Sequence, residues 1–115
     1  MLIKINGKKL HLTTFEVTPT SKNLRRCLEM QKKVAEMTLA MKNVNVDDPE
    51  SIIKSLDKQL EWLDTDTKFL KDVLNLSDDQ VKKIDDSDFD DVNEFVQDVV
   101  DKILQRDDSK SEDDK

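Results

Sequence analysis

Ser77-Asp78-Asp79-Gln80 has the spacing of a capping box. In that motif the serine hydroxyl accepts from the backbone N–H three residues on, and the glutamine side chain reaches back to the serine N–H. Leu76 and Val81 flank the box at the two positions where a hydrophobic staple fixes how the chain runs into a helix. One helix therefore ends near Leu74 to Asn75 and another begins at Ser77, so the chain must turn a packed helical corner. Little else in the sequence interrupts helices: glycine occurs once and proline twice, and 39% of the residues are charged. The fold class this predicts is mainly α, a small helical domain of about four helices with a short N-terminal β-hairpin and a disordered acidic C-terminal tail.

Residues 1–105 read as a single domain. Over 1–12, Ile3 and Ile5, then Leu10 and Leu12, alternate with polar residues around Asn6-Gly7. Asn-Gly between alternating runs signals a hairpin with a type I′ turn, in which Ile3 would face Leu10. Such a hairpin is marginal alone and has to dock, pair or stay mobile. Residues 13–20 read as an extended connector, with Pro19 disfavouring helix at Thr18. Helices are expected over 21–42, 49–75, 77–85 and 88–105. Asp48-Pro49-Glu50 supplies a cap, a proline at the first helical position and an acid that complements the helix dipole. Ile53, Leu56, Leu60, Leu63, Leu70 and Leu74 follow heptad spacing, broken only by Thr67. Asp64-Thr65-Asp66 carries start signals of its own, leaving helix 49–75 either continuous or broken there. Residues 106–115 contain no apolar side chain and are expected to be a disordered, solvated tail.

The helix at 21–42 has two apolar stripes. Leu24, Leu28, Ala35 and Leu39 form one; Cys27, Met30, Val34, Met37 and Met41 form the other, with 3-4-3-4 spacing. Together they are wider than one core contact needs. Either the helix packs against two neighbours within the monomer, or the methionine stripe faces another protein, since methionine adapts to varied surfaces. On the second reading Met30, Val34, Met37 and Met41 are the partner-binding residues, and the other stripe fills the core.

The sequence offers no reaction chemistry. Asp86-Ser-Asp88-Phe-Asp90 begins like a calcium loop, but Asp91 stands where glycine is required and Gln97 where the bidentate glutamate belongs. Helix capping accounts better for these acids. His11 and Cys27 are each the sole residue of their type, which leaves no metal-ligand set, no cysteine–histidine pair and no intrachain disulfide. One glycine cannot build a phosphate-cradling loop. No enzyme activity and no cofactor are expected. A net charge of −7 argues against nucleic acid and anionic membranes as partners. No apolar run approaches a membrane span and no signal-peptide core is present, so the expectation is a soluble, cytoplasmic chain.

In the order of its parts, the chain resembles the tail assembly chaperones of long-tailed phages infecting Gram-positive bacteria. The parts are the Ile3-Lys-Ile-Asn-Gly7 segment, the helix start Ser21-Lys-Asn-Leu-Arg-Arg-Cys-Leu-Glu-Met-Gln31, the corner from Phe69 to Val81, and the closing helix to Leu104. The resemblance implies a non-catalytic, self-associating helical protein that coats the tape measure protein, a very long helical polypeptide, and so supports tail tube assembly. It also implies a homo-oligomer, contact with the tail tube protein through a frameshifted extended form, and residence in the host cell cytoplasm during phage assembly but not in the mature virion. The family has no catalytic residues to carry over. Residues alone also admit an acidic inhibitor that mimics nucleic acid, or a dimeric helical adaptor protein.

Overall fold

The computed structural model describes residues 2–105. It opens with β1 (Ile3–Asn6) paired antiparallel to β2 (Thr14–Val17), Ile3 opposite Val17 and Ile5 opposite Phe15. The hairpin is present, but its pairing differs from the expected one. Asn6-Gly7 is not a type I′ turn: Gly7 has φ −97°, and Leu10 sits in a single 3-10 turn (Lys8–Leu10) rather than across from Ile3. The segment read as a connector supplies the second strand.

The local hydrogen bonds accommodate a curled connection in place of the tight turn. Asn6 Oδ1 accepts from the Lys8 N–H at 2.9 Å, which starts a turn at once. The Gly7 carbonyl then accepts from both Leu10 and Leu12, and the Gly7 N–H donates to Thr13. His11, at φ 63°, takes the left-handed position instead of glycine. Gly7 is needed for space: a Cβ there would lie 2.7 Å from the Thr13 carbonyl oxygen and 2.8 Å from the Leu12 Cβ. Curled this way, the connection buries Leu10 and Leu12 together with Ile3, Ile5 and Val17. Lys9 is tied to α4 (Phe89–Ile103) by ion pairs to Glu94 and, at 3.8 Å, to Asp91.

The four helices among the described residues are α1 (Ser21–Lys42), α2 (Pro49–Leu74), α3 (Asp78–Asp85) and α4. Thr20 caps α1 by accepting from the Asn23 N–H at 3.1 Å, and Asp48 caps α2 by accepting from Glu50 at 3.1 Å, with Pro49 opening the helix. α2 runs unbroken through Asp64. It ends with Asn75 left-handed at φ 56° and the Leu76 N–H reaching back to the Lys71 carbonyl. Both bonds of the capping box at Ser77 are formed, 3.2 Å to Ser77 Oγ and 2.9 Å to Gln80 Oε1. Asp88 holds the cap position of α4 without a side-chain cap bond, so capping accounts for that acid by position only; Asp90 and Asp91 lie in the first turn. The expected tail, 106–115, lies outside the described residues.

α1 and α2 lie side by side in opposite directions. At one end Met41 Sδ accepts from Ser55 Oγ at 3.5 Å; at the other Arg26 donates to the Asp72 carbonyl at 3.3 Å. The hydrophobic core gathers around one end of this pair. It joins Phe69, Leu70, Val73 and Leu74 of α2 with Cys27 and Met30 of α1, the hairpin residues, Leu76, Ile84 and one face of α4. Burial of the Cys27 thiol in that core pushes its pKa up to about 11, leaving it inert as a nucleophile. The far halves of α1 and α2, joined by the loop at 43–48, form a two-helix arm beyond the core.

Candidate partner-binding face

Of the two readings of α1, the folded monomer follows the one in which the methionine stripe packs inward. Met30 and Met37 are buried, and Val34 and Met41 are half-buried, so the strip Met30, Val34, Met37 and Met41 is not an open surface in the folded monomer. Leu28 and Leu39 of the other stripe are exposed, and Leu24 is half-buried. The reason is continuity. The methionine stripe keeps 3-4 spacing over the whole helix and buries a large side chain at each turn, whereas the leucine stripe narrows to Ala35 at its middle.

The heptad of α2 divides in two. Its lower members Leu70 and Leu74 are in the core, 0% and 6% exposed. Its upper members Ile53, Leu56, Leu60 and Leu63 are 58%, 52%, 61% and 47% exposed. Isolated exposed leucines are ordinary, but a row along one helix face is a contiguous apolar patch, and such patches mark interaction sites. Beside the row lies a cleft of about 330 Å³ lined by Met41, Gln59, Trp62, Leu63 and Phe89. Trp62 is fixed there: its Nε1 donates to Asn93 Oδ1 at 3.1 Å, and Phe89 meets it edge-on with ring centroids 5.8 Å apart. On the opposite side, Asp64, Thr67, Lys71, Val81 and Asp85 contribute to a second cleft of about 480 Å³ between α2 and α3.

In the arm, Met37 and Ser55 are buried between α1 and α2. Between α1 and α2 the Lys33–Glu61 ion pair spans 3.7 Å with both side chains half-exposed, and contributes little. At the junction of arm and core sits Asp66, 1% exposed, with neither carboxylate oxygen hydrogen-bonded. It continues the Ser55, Gln59, Trp62 stripe toward Phe69 at 4-3-4-3 spacing, the face of α2 that meets α1 and α4. Burial pushes its pKa up to about 7. By spacing alone Asp66 belongs to a helix-start signal, and its place on the buried stripe is the sequence feature that marks it out.

Among the described residues no group of three or more histidine, cysteine, aspartate or glutamate side chains could hold a metal ion, and no helix is long and apolar enough to cross a membrane. What the fold presents is a helical scaffold with an uncovered apolar row along α2. The family model for phage tail assembly chaperone proteins (TAC) matches residues 1–115, and the chain belongs to that family. Its role is that of a non-catalytic tail assembly chaperone. No curated protein and no solved structure matches the chain.

Proposed function

We propose that this chaperone acts by laying the exposed row of α2 against apolar helical segments of the tape measure protein, keeping that polypeptide soluble until the tail tube forms around it. One observation carries the reading: Ile53, Leu56, Leu60 and Leu63 continue, uncovered, the heptad whose lower members fill the core. A long amphipathic helix without cover aggregates through its apolar face, and helix-in-groove recognition seats that helix's i, i+3 and i+7 side chains in an apolar groove, which the row and the cleft beside it would supply. Self-association belongs to the same reading, with exposed Leu28 and Leu39 on α1 available to a second copy. So do contact with the tail tube protein through an extended form, and action in the host cell cytoplasm.

The test is co-expression with a tape measure fragment that is insoluble alone. Wild-type protein should hold the fragment in solution. The double variant Leu56→Asp/Leu60→Asp, altered at exposed positions only, should stay folded by circular dichroism and fail to do so. A folded double variant that still protects the fragment overturns the assignment of this face.

A further inference from the structure

The two banks of the α2 row are unlike. On one side lies the cleft of Met41, Gln59, Trp62, Leu63 and Phe89, which contains no charged residue. On the other, Asp57 and Asp64 follow Ile53 and Leu60 by four residues and so stand against them on the helix surface. Both acids are exposed, and among the described residues neither side chain takes part in a hydrogen bond or ion pair. Asp64 shares its cleft with Asp85 of α3. Of the two lysines there, Lys68 is held by Asp72 at 2.9 Å, leaving Lys71 as the counter-charge. Glu61 is turned the other way, toward Lys58 and toward Lys33 of α1. Exposed Lys54, three residues before Asp57, offsets part of this charge, so the row is apolar on one bank and net acidic on the other.

That asymmetry selects among occupants. If two copies paired antiparallel through the row, with Ile53 against Leu63 and Leu56 against Leu60 of the other copy, Asp57 would face its own counterpart. Like charges at such flanking positions oppose pairing. In parallel pairing Asp57 would meet Ile52 or Gln59 and gain nothing. The net charge of −7 adds general repulsion between copies. We infer that the α2 row takes a single amphipathic helix from another protein, one that sets its apolar side chains into the row and cleft and carries lysine or arginine along the flank facing Asp57 and Asp64. This rests on the reading of the row as the partner-binding face and adds to it the charge pattern of the partner.

Trp62, the only tryptophan in the chain, lines the cleft and reports on its occupation. The experiment titrates full-length protein with two synthetic helical peptides that share one leucine heptad, flanked by lysine in the first and by glutamate in the second, and follows Trp62 fluorescence. The lysine-flanked peptide should bind about tenfold more tightly at low salt, as expected for two exposed charge pairs, and the advantage should shrink at high salt. Asp57→Asn/Asp64→Asn should remove most of the advantage while leaving the protein folded, and Leu56→Asp/Leu60→Asp should abolish binding. Equal affinity for both peptides overturns the charge pattern but leaves the row as a helix site. Binding of neither overturns the site as well. A wild-type dimer that Leu56→Asp/Leu60→Asp converts to monomer makes a second copy the occupant and overturns the inference.

Discussion

The two halves of α2 are built from one heptad pattern and meet opposite fates. Below Asp66 the pattern is covered on all sides: Leu70 and Leu74 lie under the hairpin, α3 and α4, and Phe69 and Val73 complete the same core. Above it, Ile53, Leu56, Leu60 and Leu63 keep the spacing and lose the cover. The difference comes from chain length elsewhere. α4 begins at Phe89, beside Trp62, and past that point the row on α2 is left exposed. Apolar spacing therefore makes the helix amphipathic, while the reach of the neighbouring elements decides where its apolar face becomes core and where it becomes surface.

The comparison breaks most directly by truncating one leucine on each half. Leu70→Ala should cost about 2–5 kcal/mol, because a fully buried leucine leaves a cavity. Leu60→Ala should stay within about 0.5 kcal/mol, as usual for exposed positions. Urea denaturation of the two variants measures both. A cost at Leu60 close to that at Leu70 would mean that the arm is covered in the free protein.

Asp66 sharpens the comparison at the boundary between the halves. Its pKa is raised from near 4 in the unfolded chain to about 7 in the folded one, by burial. The folded state therefore binds the proton more tightly, and stability falls as pH rises between those values. Below about pH 4 both states are protonated and the cost is absent; above 7 it is fully present. Asp66→Asn should stabilise the protein by roughly 2–4 kcal/mol at pH 8, and the gain should fade toward pH 4. Thermal melts across pH 4 to 8 follow this, and a pH-independent difference would show that desolvation of the carboxylate is not its origin.

The smallest effect concerns the corner that ends the covered half. Ser77→Ala should cost about 1 kcal/mol, since one capping bond is lost and α3 stays docked through Ile84. No measurable change in chemical denaturation would mean that the corner is set by Leu76 and Val81 packing alone.

Much of the helical frame was legible in the residues. The Asp48-Pro49-Glu50 start of α2 and the capping box at Ser77 are written in short-range hydrogen-bond chemistry, which acts within a few residues and is visible as spacing. The α4 face from Val92 to Ile103 is legible for the same reason, its 3-4 spacing leaving one side to bury. The hairpin was half legible. Its existence followed from the alternation of Ile3 and Ile5, but the strand partner did not. Asn-Gly offered a tight turn locally, and burial of Leu10 and Leu12 against the helices outweighed it.

What the sequence by itself determined is the set of helices, the stops between them, and a surplus of helical apolar surface. What only the tertiary structure decided is which surplus is free. On α1 the methionine stripe went inward and Leu28 and Leu39 outward; on α2 one continuous heptad was divided at Asp66. Spacing fixes which side chains share a face, because a helix is a local object. Which face is covered depends on how far α3, α4 and the hairpin extend over it, and that is set by contacts between residues far apart in the chain.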